Sequence, residues 1–202
     1  ETLHLWTQII GKLKLARLPW VNHSWHVTLR VTPTGLTTGD IPADGKHFQV
    51  EFDFLNHHLR IHTSRGEEKQ FYLPGLSVAG FYRQTMRALE ELDVATPIHL
   101  IPNEMADVIP FDQDEAHATY VPEAAAALHA ALLHTDRVFT GFRAGFLGKC
   151  SPVHFFWGGF DLAVLDLGDP HPRLPPDVRL VLALADDLDE VLAGLAVLLE
   201  LE

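Results

Sequence analysis

The sequence predicts an α+β fold: an antiparallel meander of four to six strands with helices packed on one face. Three observations carry that expectation. Residues 47–63 alternate apolar and polar at period two, residues 3–17 repeat apolar positions at helical spacing, and an Ala-rich run follows Pro122.

The elements follow in order. Leu5, Ile9, Leu13 and Ala16 place one apolar stripe on a helix over 3–17, with Trp6 on the neighbouring face and Pro19 ending it. Trp25, Val27, Leu29 and Val31 alternate with His26, Thr28 and Arg30, which reads as the first strand. Pro33-Thr34-Gly35 turns the chain into a strand from His47 to Leu55, with Phe48, Val50, Phe52 and Phe54 on one side. Asn56-His57 makes a tight connection to Leu59–Thr63, and a turn at Ser64-Arg65-Gly66-Glu67 precedes Phe71-Tyr72-Leu73. Strand alternation puts His58 and His62 on one face of that hairpin, where solvent accounts for them.

Ser77 is placed to cap a helix over 78–92. Residues 97–101 read as an edge or fourth strand, leading into an acidic loop with Asp112, Asp114, Glu115 and His117. Pro122 opens a long helix to about Phe142, because proline suits the first helical position. Residues 153–167 read as one or two strands, and 170–176 as a proline-rich linker. The expected division is one α+β domain over 1–176 and an apolar, acidic helical tail over 177–202.

Composition excludes several functions. The chain carries 27 acidic and 15 basic residues, a net charge of −12 with His neutral. Such a surface repels phosphate backbones, so neither nucleic acid nor an anionic membrane is an expected partner. The apolar run from Val178 to Leu199 is interrupted by Asp186, Asp187, Asp189 and Glu190, which rules it out as a membrane span. Its Leu and Val offer a surface for homodimerisation, hence a non-catalytic interaction protein as one reading. The opening Glu1-Thr2-Leu3-His4 has no basic or apolar leader pattern, and the single Cys150 cannot form an internal disulfide. A cytoplasmic location is the expectation.

Two clusters could carry chemistry. In Asn22-His23-Ser24-Trp25-His26, imidazoles three apart suit a shared ligand, half of a zinc site, or a structural role. The run from Gly148 to Asp161 holds a cation (Lys149), an imidazole (His154), an indole (Trp157), a carboxylate (Asp161) and two glycines that would allow a bulge. A buried aromatic strand explains the same run. The preferred reading is a small-molecule site lined by Trp6, His23, Trp25, His26, His154, Trp157 and Asp161, with Lys149 or Arg143 for an anionic group. In an enzyme, a His would be the acid–base group and Asp161 its orienting partner. Metal binding through His23, His26 and His154 is the alternative. Cys150 reads as an inert buried thiol, and no Walker A, HExxH, GxSxG or CxxC motif occurs. No cofactor or reaction is identified by these residues.

Several long runs carry a family resemblance: Leu3 to Lys12, Asn22 to Val27, Gly35 to Thr38, Phe52-Asp53-Phe54, Ile109 to Asp112 and Phe146 to Ala163. Over about residues 1–176 the chain resembles DUF5996, a bacterial family of uncharacterised proteins. The resemblance implies no reaction; it raises His23, His26, His154, Trp157 and Asp161 as residues of the family's characteristic stretches. After the proline linker the family resembles a polar, aromatic segment with Ser-His-Glu, whereas here Val178 onward is apolar and acidic.

Overall fold

The period-two pattern of residues 46–63 becomes the centre of a six-stranded antiparallel sheet. The structure, a computed structural model, describes residues 1–105, 108–165 and the backbone of 179–183. The sheet comprises β1 (Arg30–Val31), β2 (Gly35–Thr37), β3 (Ile41–Ala43), β4 (Lys46–Asp53), β5 (His58–Thr63) and β6 (Glu68–Tyr72). Its order is β1-β2-β4-β5-β6, with β3 also pairing to β4. Register aligns Phe48 with Thr63, Val50 with Ile61 and Phe52 with Leu59, so their side chains share the buried face. The reverse face pairs Gln49 with His62, Glu51 with Arg60 and Asp53 with His58.

Turn chemistry sets that register. Asp53 Oδ1 accepts from the backbone N–H groups of Leu55 and Asn56, and His57 takes a left-handed φ of 55° to complete the connection. On the other side of β5, Gly66 supplies a φ of 80° in the turn to β6.

Two helices cover the buried face. The first, α1 (Thr2–Arg17), hides Leu5, Trp6, Ile9, Ile10 and Leu13; Ala16, expected in the same stripe, is exposed. In α2 (Val78–Glu91), Ser77 caps the first turn by accepting from the Gly80 N–H. Phe81 of α2 lies between Phe52 of the sheet (5.9 Å between rings) and Trp6 of α1 (4.8 Å). Tyr120 extends the stack on Trp6 at 5.2 Å. Burying each such ring contributes about 2 kcal/mol, so this stack locks sheet and helices together.

The third helix, α3 (Pro122–Ala144), has proline at its start and buries Ala125, His129, Leu132, Thr135 and Phe139 on one face. It packs against β1 and against a second antiparallel sheet of β7 (His154–Phe156), β8 (Asp161–Leu165) and β9 (Arg179–Ala183). A reciprocal pair of backbone hydrogen bonds, each 2.9 Å, joins Leu29 to Phe155 and so links the two sheets. Among the described residues, no helix is long and apolar enough to cross a membrane.

Three expectations are corrected. The first strand is not Trp25–Val31 but only Arg30–Val31; Asn22–Val27 instead winds into a short 3-10 segment. His26 and Thr28 are buried together with Val27 and Leu29, so no two-faced alternation exists. The reason is competition: side chains, not a strand ladder, take this segment's carbonyls. Lys14 Nζ donates to Thr28 O, Trp157 Nε1 to Val27 O and Thr28 Oγ1 to Trp25 O.

Residues 97–101 form no strand; Lys12 Nζ donates to Ile101 O and the Phe111 N–H to Leu100 O. In the tail, the helix expected from 177 gives way at 179–183 to a strand whose backbone pairs along the whole length of β8. The remainder of that tail, with the dimerisation surface read into it, lies outside the described residues.

Candidate functional site

A cavity of about 550 Å³ opens where three segments meet. The 3-10 segment contributes His23, Ser24 and Val27; a loop contributes Asn103 and Glu104; the β7–β8 hairpin contributes Phe156, Trp157, Gly158, Gly159 and Asp161.

Two of these walls, the hairpin turn and the 101–104 loop, are fastened to α1. His4, Gln8 and Lys12 fall at i, i+4 and i+8 and therefore share one helix face. His4 Nε2 lies 2.7 Å from Gly158 O. A carbonyl only accepts, so Nε2 carries the proton and donates. Gln8, fully buried, donates to Asn103 O at 2.8 Å and accepts from the Asn103 N–H at 2.7 Å. Lys12 reaches Ile101 O at 2.7 Å. One polar stripe thus positions the hairpin turn and the 101–104 loop relative to each other. Burial holds His4 below the ordinary imidazole range, opposed by its hydrogen bond to the Gly158 carbonyl.

The hairpin turn works through its glycines. Four residues, Trp157 to Phe160, connect β7 to β8, with Phe156 opposite Asp161. A Cβ on Gly158 would lie 3.1 Å from Glu104 Oε1. One on Gly159 would lie 2.7 Å from Asp161 Oδ1 and 3.5 Å from Glu104 Oε2. These glycines make room for two carboxylates, and the expected bulge is instead a tight turn. Trp157 is clamped from behind: its Nε1 donates to Val27 O at 2.9 Å, and its indole fills the space beside Gly11.

Backbone conformation singles out the same region. Among the described residues six non-glycine residues take positive φ, and four of them sit here: His23, Ser24, Glu104 and Phe160. Left-handed backbone costs about 1–2 kcal/mol per residue with a side chain, so surrounding contacts must hold these positions.

Of the eight side chains expected to share one pocket, His23, Trp157 and Asp161 line the cavity. Trp6 belongs to the aromatic core, sealed between Phe81 and Tyr120. Trp25 stands between two imidazoles, 5.3 Å from the His23 ring and 6.2 Å from that of His154. His154 is buried, donates from Nδ1 to Pro152 O at 2.6 Å, and packs on Phe156. His26 is turned toward Trp20 and accepts from the Val21 N–H. Burial, with the nearby Lys14 charge, lowers its pKa. Lys149 is exposed, and neither it nor the half-buried Arg143 is among the lining residues. Cys150 is a half-buried free thiol.

The metal reading finds no support in this geometry: among the described residues, no three His, Cys, Asp or Glu side chains are grouped to hold an ion. Sequence reasoning missed His4, Gln8, Asn103 and Glu104. The polar stripe at four-residue spacing on an apolar helix was the available signal for the first two; nothing local marks the others.

Comparison with curated proteins finds no match, and neither does comparison with solved structures. A family model does match, over residues 1–182, and it spans all three walls of the cavity. The chain belongs to DUF5996, a family of unknown function.

Proposed function

We propose that the cavity between the 22–27 segment, the 103–104 loop and the β7–β8 hairpin binds a small organic molecule. The observation that carries this reading is its frame: a recess of about 550 Å³, two of whose walls, the hairpin turn and the 101–104 loop, are tied to α1 by partly buried polar contacts. Recesses of this size, with aromatic rings and a few polar groups, suit metabolite-sized ligands. His23 supplies an imidazole to the cavity, a group that can donate a hydrogen bond to a ligand or accept one from it.

Ligand-observed NMR with a fragment library tests the reading. His23→Asn is the matched variant, because asparagine tolerates the left-handed backbone while removing the imidazole. Hits that bind the wild-type protein and weaken in this variant support the site. A library with no hits, or hits indifferent to His23→Asn, overturns it.

A further inference from the structure

Four polar residues of the recess are uncommitted: His23, Ser24, Asn103 and Glu104 all line it. Among the described residues, none of these four side chains makes a hydrogen bond or an ion pair with the protein. Gln8 holds Asn103 by its backbone groups alone, which leaves the carboxamide unused. Three of the four also take left-handed backbone, with φ of 58° at His23, 59° at Ser24 and 56° at Glu104. Strain of this kind gathers where the surrounding structure aims side chains at a ligand. Gly158 leaves space for one of them, since a Cβ there would crowd Glu104 Oε1 at 3.1 Å.

We infer that the cavity binds a neutral polyhydroxylated molecule, of the sugar or cyclitol class. The inference rests on the cavity being a ligand site and adds the class of its ligand. The uncommitted groups differ in what they offer. The Glu104 carboxylate only accepts hydrogen bonds, whereas the Asn103 amide, the Ser24 hydroxyl and the His23 imidazole each donate and accept. A ligand that satisfies all four must itself donate and accept at several points. Hydroxyl groups do both, and two on neighbouring carbons span a planar amide or carboxylate as a pair. An ammonium head leaves the acceptor-seeking N–H groups of Asn103 unmatched, and a phosphate or carboxylate leaves Glu104 unmatched. A hydroxylated ring leaves neither. Val27 and Trp157 line the same recess and give the carbon face of such a ring an apolar surface.

The test sets myo-inositol, methyl α-glucopyranoside and methyl α-galactopyranoside against cyclohexanol, which keeps a ring of the same size with a single hydroxyl. Ligand-observed NMR titrations of the full chain should show at least one of these polyols binding about tenfold tighter than cyclohexanol. Asn103→Ala should weaken that polyol about tenfold and leave the thermal midpoint unchanged, because the backbone ties to Gln8 remain. Glu104→Gln, which exchanges an acceptor for a donor, should weaken it several-fold. Absence of polyol binding, or binding no tighter than that of cyclohexanol, overturns the inference. The fragment screen with His23→Asn then decides separately whether the recess is a ligand site. Polyol binding that either variant leaves unchanged overturns the inference as well.

Discussion

The Trp157 indole occupies the space that a side chain on Gly11 would need: a Cβ there would fall 2.1 Å from the indole Nε1. This contact seats the β7–β8 hairpin on α1, and with it one wall of the cavity. Alanine normally gains about 1 kcal/mol over glycine inside a helix. Here overpacking costs about 1–3 kcal/mol, and more when the partner cannot move. Trp157 is tied through Nε1 to Val27 O, so the clash wins. Gly11→Ala should lose about 2 kcal/mol by urea denaturation, with a shift in Trp fluorescence. A more stable variant would contradict this packing.

Gln8 holds both backbone groups of Asn103 from a fully buried position. Gln8→Ala leaves those groups without their partner, at a cost of about 1–3 kcal/mol. Proteolysis near residues 101–104 should accelerate. A variant with wild-type stability and the same cleavage rate would show that the loop does not depend on this clamp.

Acid should destabilise the fold through His4 and His26. Both imidazoles have folded pKa values below the ordinary 6.5, chiefly from burial. The unfolded chain therefore binds more protons between each folded pKa and 6.5, and stability falls as pH drops through that window. Urea midpoints should fall between about pH 7 and pH 5, and less steeply in a His4→Gln, His26→Gln double variant. An identical slope would remove these two groups as the cause.

Lys14 acts at the other end of the scale. Burial, with a smaller contribution from the Arg30 charge, lowers its pKa to about 8 from 10.5. The unfolded chain again holds the extra proton, so this residue's contribution to stability rises with pH from about 8 to 10.5. The difference between wild type and Lys14→Met across that range isolates the effect. A pH-independent difference would mean that the amine, with its two carbonyl acceptors, titrates as an exposed lysine does.

Gly159→Ala places a methyl 2.7 Å from Asp161 Oδ1. Rotation of one carboxylate relieves the contact, so stability should drop by less than about 1 kcal/mol. Binding of fragments that occupy the cavity should weaken several-fold, because the methyl alters its Gly159 wall. Unchanged affinity would place those fragments away from the Gly159 wall.

Much of the architecture was legible because its causes are local. Phe48, Val50 and Phe52 alternate along a strand whose partner residues Ile61 and Leu59 alternate in register. Ser77 and Pro122 start their helices for reasons contained within a few residues. The reading failed at Asn22–Val27, where an apparent alternation was overruled by Lys14 and Trp157, residues from two other elements. It failed again at 179–183, where pairing with β8 outweighed an apolar pattern read as helix. Short apolar runs carry no period strong enough to choose between helix and strand.

By itself, then, the order of residues determined the fold class, the meander, three helices and the absence of the common catalytic motifs. The tertiary structure alone decided which polar groups share a space. Glu104 and Asp161, 57 positions apart, converge beside Gly159, and His4 meets Gly158 from more than 150 positions away, because α1 draws distant loops together through partly buried side-chain contacts. Periodicity follows from backbone geometry within one element, whereas a recess is defined by the sum of contacts between elements, which no local pattern records.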